Sequence, residues 1–235
     1  MRCRQLNTPT VEIIVSDGRA TKGYWVHKGL ICGVSPVFET SFNGRWRETD
    51  EQKMNWNECS PRTFDIFVHW LYTTQLPRDC DISEERDKNL RFLHLLKLAD
   101  SVMIPELEIQ TYQRIRTSLA SERLPSRAFI QQLYEYDWRT SHLRVYIAKI
   151  CVYFMFRGHA YDSWEDIVDT VPQFGADVSK ELRRSLNVAS SKWTTYHSNG
   201  HSGYSCNGPP RPSHPFRDST FEKYGALDGV DTRGK

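Results

Sequence analysis

Residues 26–38 set the fold of the first half of the chain, and they read VHKGLICGVSPVF. The run that leads into them, Gly23–Val26, is aromatic and β-branched, a composition that favours a strand. Ser35-Pro36 combines a preferred helix N-cap with a residue that is favoured at the first helical position. We therefore expect a strand that leads into a short helix, which Gly44 closes.

Two more strand signals flank this stretch. Val11–Val15 is a β-branched run that ends in Ser16-Asp17-Gly18, a sequence typical of a hairpin turn. Lys53–Trp56, downstream of the predicted helix, fits a third short strand. The pattern thus predicts a β-hairpin, a helix and a further strand.

From residue 60 onward the hydrophobic pattern is helical. Ser60-Pro61 repeats the N-cap and first-turn signature, and apolar residues follow it at helical spacing. Further helices are predicted beyond a polar loop at 78–88, and Ser141–Phe156 has the widest apolar face. That width favours a core helix of the second half over a helix that binds a partner's groove. The apolar positions are Phe64, Phe67, Val68, Leu71, Phe92, Leu95, Leu96, Ala99, Val102, Leu143, Ile147, Ile150 and Phe154.

The composition limits the classes of function. The 235 residues are 39% hydrophobic and 26% charged, which is enough for a packed core, with a mean hydropathy of −0.60. A net charge of +2 argues against binding nucleic acid or acidic membranes through bulk charge. The longest apolar run, Ile150–Phe156, is far shorter than the roughly 20 residues that a membrane span needs.

Cysteine use and the N-terminal residues indicate the compartment. No apolar stretch follows Met1–Gln5, so no secretory signal is predicted. The six cysteines include no Cys-x-x-Cys pair, which favours reduced thiols. We therefore expect a soluble protein of the cytoplasm, the nucleus or both, with no membrane contact.

The composition changes near Ala189. From Ser190 to Lys235 the chain is rich in Gly, Pro and Ser, and its only aliphatic residues of the Leu, Ile and Val set are Leu227 and Val230. Such a segment cannot bury enough apolar surface to offset its ordering entropy, so we expect a disordered tail. The predicted organisation is an N-terminal arm (1–9), a domain (10–120), a helical extension (121–189) and the tail (190–235).

The segments 26–31, 35–38, 42–48, 67–76, 98–100 and 104–107 share a recognisable order and spacing. Together they resemble the BTB/POZ domain. The resemblance covers about Thr10–Leu119 and is closest to BTB proteins of filamentous fungi. It implies an α/β (α+β) fold, in which helical hairpins flank a small sheet, and an interaction module that is not an enzyme. The residues that match the fold-defining motif are His27, Lys28, Ser35, Pro36, Trp70, Leu71 and Tyr72.

The resemblance also implies two kinds of protein partner. Many BTB/POZ proteins dimerise, which makes Val34, Val37, Phe38 and Phe42 the candidates for a homodimer interface. Some relatives dock a cullin-type scaffold of a ubiquitin ligase through a hydrophobic residue, any residue, and then Glu, and Trp46-Arg47-Glu48 fits that pattern. The alternative is that Trp46 folds back on the sheet while Glu48 only solvates a loop.

The chain departs from the family pattern at three places. Thr10 stands where dimeric transcription-factor relatives carry Asp before the first strand, which puts that charged contact in doubt. The hairpin between Val15 and His27 is longer than in the animal adaptors. The tail carries no recognisable substrate-binding domain, so the adaptor interpretation lacks a substrate receptor.

Other classes of site receive less support from the sequence. No nucleophile elbow, dinucleotide-binding loop, Walker loop or His-Glu-x-x-His motif occurs, so no catalytic residue, cofactor or small-molecule substrate is predicted. In the tail, His197, His201, Cys206 and His214 are spaced like zinc ligands, but without the usual Cys-x-x-Cys half they favour a flexible His-rich segment over a metal site.

Aromatic residues in the tail leave one further alternative open, a nuclear regulator whose basic tail contacts nucleic acid by stacking. The tail holds few Lys and Arg residues among acidic ones, so nucleic acid is the less favoured partner. The aromatic residues are Trp193, Tyr196, Tyr204, Phe216, Phe221 and Tyr224.

Overall fold

In the computed structural model, a β-hairpin begins the described chain and a third strand completes its sheet. Strand β1 (Thr10–Ser16) pairs antiparallel with β2 (Thr21–His27) and parallel with β3 (Lys53–Trp56), so the order is β2-β1-β3. The Asp17 side chain stabilises the turn, because its Oδ1 accepts hydrogen bonds from the backbone N–H groups of Arg19 (2.9 Å) and Ala20 (2.8 Å). The predicted hairpin is confirmed.

The structure describes residues 6–78, 88–120, 125–136, 141–156 and 163–198. The chain divides into two units, residues 1–123 and 124–235. The described residues of the first unit form the helices α1 (Lys28–Val34), α2 (Pro36–Asn43), α3 (Arg47–Glu51), α4 (Pro61–Thr73), α5 (Lys88–Ser101) and α6 (Pro105–Ala120). The second unit has α7 (Arg127–Glu135), α8 (Ser141–Phe156), α9 (Ser163–Thr170) and α10 (Pro172–Ser198).

Both Ser-Pro signatures begin helices as predicted. The Ser35 side chain caps α2 by accepting from the N–H of Phe38 (3.3 Å), and Ser60 caps α4 by accepting from Thr63 (3.2 Å). Ser35 also donates its hydroxyl hydrogen to the Val102 carbonyl at 2.6 Å. This second bond joins the start of α2 to the end of α5, although the two are far apart in sequence.

A cluster of aromatic side chains forms the centre of the first unit. The Phe38 ring lies 5.7 Å from Trp56, 6.2 Å from Phe67 and 6.4 Å from Phe42, measured between ring centroids. Phe38 has no exposed surface. Burial of these rings holds α2 and α4 against the sheet, which presents Val11, Ile13 and Val15 on the same side.

The second unit is all helical in the part that the structure describes. Helix α8 is buried over most of its circumference, as its wide apolar face predicts, and it packs against α10. Helix α10 continues through residues 190–198, which the composition predicts to be disordered, while 199–235 lie outside the described residues. Within the described residues, no helix combines the length and the apolar character that crossing a bilayer requires.

The expected architecture, a small sheet combined with helices, is confirmed. Two short helices are additions to the prediction. Helix α1 follows β2 directly, and α3 lies between the end of α2 and the start of β3.

Candidate docking surface

The segment between α2 and β3 presents a large apolar side chain to solvent. Helix α2 ends at Asn43, and Trp46 stands at the N-cap position of α3 with 62% of its surface exposed. Glu48, in the first turn of α3, is half-buried. The two residues of the predicted motif thus lie at the start of one short helix, with Trp46 at the N-cap and Glu48 in the first turn.

Side chains from two helices, α1 and α3, hold this segment in place. The Lys28 ammonium, at the start of α1, donates to the Phe42 carbonyl at 2.9 Å and so caps the end of α2. The Thr49 hydroxyl lies within hydrogen-bond distance of the Ser41 carbonyl (3.0 Å) and the Gly44 carbonyl (3.2 Å). These contacts fix the path of the chain from α2 into α3, so Trp46 is held on an ordered support.

The charges around Trp46 are unevenly paired. The Arg47 guanidinium donates to the Glu51 carboxylate at 2.5 Å. This hydrogen bond raises the pKa of Arg47 above its ordinary value. Among the described residues, Glu48 forms no salt bridge. An exposed indole beside an unbridged carboxylate suits a partner that offers an apolar pocket and a nearby cation.

Gly44 is required by the close approach of the chain at the end of α2. A Cβ atom there would lie 2.2 Å from the Thr40 carbonyl oxygen and 3.1 Å from Cδ1 of Trp46. We expect Gly44→Ala to lower the free energy of unfolding by about 1–3 kcal/mol, because backbone must move to relieve the clash. Urea denaturation measures the change.

Gly23→Ala is the matched control for that variant. A Cβ at Gly23 would meet only Oε1 of Glu12, at 3.6 Å, an ordinary contact. We therefore expect this control to leave stability unchanged or slightly raised. Equal stability of Gly44→Ala and Gly23→Ala would contradict the close approach at Gly44.

Comparison with known proteins identifies the first unit. The family model of the BTB/POZ domain matches residues 2–117. Those residues form a BTB/POZ domain. The BTB/POZ domain is a protein–protein interaction module.

Two solved structures are similar to the BTB/POZ domain of this chain. One is the BTB domain of zebrafish PATZ1, with 16% identity, 46% of this chain and 76% of that chain covered, and a TM-score of 0.33. The other is the BTB (Tramtrack and Bric a brac) domain of human Gigaxonin, with 14% identity, 47% and 80% covered, and a TM-score of 0.35. The expected closeness to BTB proteins of filamentous fungi stays a prediction. No curated protein matches the chain.

The fold-defining residues of the BTB/POZ domain have identifiable contacts. Nδ1 of His27 lies 2.8 Å from the Tyr72 hydroxyl, which joins the end of β2 to α4. Trp70 is fully buried and its Nε1 donates to Oε1 of Gln110 at 3.1 Å. Leu71 is buried beside it, while Pro36 is exposed at the start of α2.

The structure places the four candidate dimer residues in two environments. Val34 and Val37 are half-buried, so part of each side chain is available at the surface. Phe38 and Phe42 are fully buried in the aromatic core of the same domain. A second copy of the chain can therefore meet Val34 and Val37, but Phe38 and Phe42 contribute by supporting α2 from within.

The cysteines described by the structure are poor nucleophiles. Burial raises the pKa of Cys32 to about 11 and that of Cys59 to about 12, so both thiols are protonated at neutral pH. Burial also raises the pKa of Cys151. Within the described residues, no group of three or more His, Cys, Asp or Glu side chains is placed to hold a metal ion.

The structure does not describe the side chains of the tail residues that are spaced like zinc ligands. The same holds for the aromatic residues of the nucleic-acid alternative. His201, Cys206, His214 and the aromatic residues after Ser198 lie outside the described residues. For His197, Trp193 and Tyr196 only the backbone, in α10, is described.

Proposed function

We propose that this chain is an adaptor whose BTB/POZ domain docks a cullin-type ubiquitin-ligase scaffold through Trp46 and Glu48. The observation that carries the proposal is the 62% exposure of Trp46 on a segment that Lys28 and Thr49 hold in place. The proposal assigns the chain no catalytic activity, and it places the protein in the cytoplasm, the nucleus or both.

An exposed tryptophan on an ordered support is well suited to be a binding anchor. Its indole buries a large area on binding and loses little conformational freedom, and such residues are enriched among the positions that dominate interface energies. The hydrogen bonds of Lys28 and Thr49 already order the segment, which lowers the entropy lost on binding. Glu48 adds a charge that selects the orientation of the partner.

Titration calorimetry with a purified cullin N-terminal segment tests this site. We expect Trp46→Ala to weaken binding by about 30-fold or more, as truncation of a central aromatic anchor does. Glu48→Gln should weaken it less, because it removes a charge and keeps the volume. Circular dichroism should be unchanged, because Trp46 contributes little to the core.

Trp25→Ala is the matched control, since Trp25 is 65% exposed on β2, away from this segment in sequence. It should bind the scaffold as the unmodified chain does. Equal affinities for Trp46→Ala and Trp25→Ala would remove Trp46 from the site.

The second part of the proposal is homodimerisation through the α1–α2 region. Its support is the partial exposure of Val34 and Val37, which lie on either side of the α1–α2 junction. A dimer would present two copies of the docking surface, which increases the effective concentration of a bound scaffold.

A further inference from the structure

The outer edge of β2 has features that the proposed function does not use. β2 is an edge strand of the sheet, and no other strand pairs with its outer side among the described residues. Its alternation places Tyr24 and Val26 in the core and leaves Gly23 and Trp25 exposed on the opposite face. Trp25 is 65% exposed there.

The backbone groups of Gly23 and Trp25 point away from the sheet. The N–H of Glu12 donates to the Gln52 carbonyl at 3.0 Å, so the backbone of Glu12 faces the β3 side. Trp25 is directly opposite Glu12 and therefore occupies a non-hydrogen-bonded pair, with its N–H and C=O directed outward. The N–H and C=O groups of Gly23, two residues earlier in β2, point in the same direction. His27, two residues after Trp25, follows the same alternation. Its N–H points outward and donates to the Tyr72 hydroxyl (3.3 Å), not to a carbonyl of β1.

At Gly23 and Trp25 the edge lacks the features that commonly prevent strands from pairing, whereas at His27 the Tyr72 hydroxyl of α4 takes the outward N–H (3.3 Å). β2 contains no proline, and its one lysine, Lys22, is engaged by Asp65 of α4 at 2.6 Å. Natural edge strands are commonly protected by an outward lysine, a proline or a bulge. Here two outward backbone positions are left with hydrogen-bonding groups for a further strand.

We propose that β2 is a self-association edge, which pairs antiparallel with β2 of a second copy of this chain. With the two-fold axis at Tyr24, Trp25 of one copy lies opposite Gly23 of the other, and the reverse holds. Gly23 has no side chain, and only Oε1 of Glu12 lies within 4 Å of where its Cβ would be, which leaves space there for the indole of the second copy. Ile14, which is directly opposite Gly23 in β1 and half-buried, lies next to that space.

The self-complementary arrangement argues for a second copy over an unrelated strand. Gly23 of each copy faces Trp25 of the other, so one register pairs four residues, two from each copy. An aromatic residue opposite a glycine on a neighbouring strand stabilises that pair. In this register Lys22 faces Val26 of the second copy, so no like charges oppose each other across the edge.

Sedimentation velocity of the full chain over a wide concentration range tests the proposal. Gly23→Thr is the decisive variant, because its Cβ has room in the domain (3.6 Å to Oε1 of Glu12) but fills the space needed by the second indole. We expect Gly23→Thr and Trp25→Lys each to weaken self-association by at least about tenfold. The thermal midpoint of Gly23→Thr should be unchanged or raised.

Two controls separate this edge from the other surfaces. Trp46→Ala removes a comparably exposed tryptophan and should leave self-association through β2 unchanged. Val37→Glu should reduce only association through the α1–α2 region. If the chain does not dimerise there, Gly23→Thr should still weaken the association through β2.

Hydrogen exchange of the peptide that contains β2 gives a direct readout. The N–H groups of Gly23 and Trp25 should exchange more slowly as the concentration of the unmodified chain rises, but not in Gly23→Thr. Self-association that is identical in the unmodified chain, Gly23→Thr and Trp25→Lys would overturn the proposal. Protection of β2 only when a different protein is added would overturn it as well.

Discussion

Replacing Phe38 by alanine is expected to lower the free energy of unfolding of the BTB/POZ domain by about 3–5 kcal/mol. Phe38 has no exposed surface, and its ring meets the rings of Phe42, Trp56 and Phe67. The substitution leaves a cavity between α2, β3 and α4, and neighbouring rings can fill it only partly. Urea denaturation of the full chain, followed by tryptophan fluorescence, measures the change.

Val37→Ala is the control for this prediction. Val37 is adjacent in sequence but half-buried, so its truncation removes fewer buried contacts and should cost about 1 kcal/mol or less. If both variants lost the same stability, Phe38 would not be the centre of the core.

Arg144→Ala is expected to lower the stability of the second unit by about 2–4 kcal/mol. One nitrogen of the Arg144 guanidinium, Nη2, lies 3.4, 3.2 and 2.5 Å from the carbonyl oxygens of Leu133, Tyr134 and Tyr136 at the end of α7. The guanidinium also lies over the Tyr134 ring, 4.7 Å from its centroid. Its removal leaves these half-buried carbonyls without a charged donor and the ring without a cation.

Tyr134 extends the effect of Arg144 to α10. Its hydroxyl donates to Oδ2 of Asp177 at 2.8 Å, so a shift of Tyr134 would weaken the contact between α7 and α10. Hydrogen exchange of peptides from α7 and α10 should therefore become faster in Arg144→Ala. Arg144→Lys should recover part of the protection, because it keeps the charge but not the planar fork. Unchanged exchange in both helices would contradict the role of Arg144.

Local signals predicted most of the first unit. Ser35-Pro36 and Ser60-Pro61 marked two helix starts because N-capping depends only on residues within the first turn. Asp17 and Gly18 marked the hairpin for a similar reason, since the turn is held by the side chain of Asp17 itself. The polar residues around Trp46 predicted its exposure.

Features that depend on distant residues were less predictable. An apolar stripe on α2 is the same whether it faces the core or a partner. The family resemblance made Phe38 and Phe42 interface candidates, and the structure shows that both are buried. The bond from Lys28 to the Phe42 carbonyl joins two elements and has no local signature. Helix α10 extends to Ser198 through a stretch of low aliphatic content, because helix formation does not require aliphatic residues at every turn.

Affinity purification of the full chain from its own cells is the most direct test of docking through the exposed segment at Trp46. We expect a cullin to be recovered with the unmodified chain and with Trp25→Ala. We expect the cullin to be lost with the double variant Trp46→Ala and Glu48→Ala, at equal levels of folded protein. Recovery of the cullin with that double variant, or its absence from the unmodified chain, would contradict docking through Trp46 and Glu48.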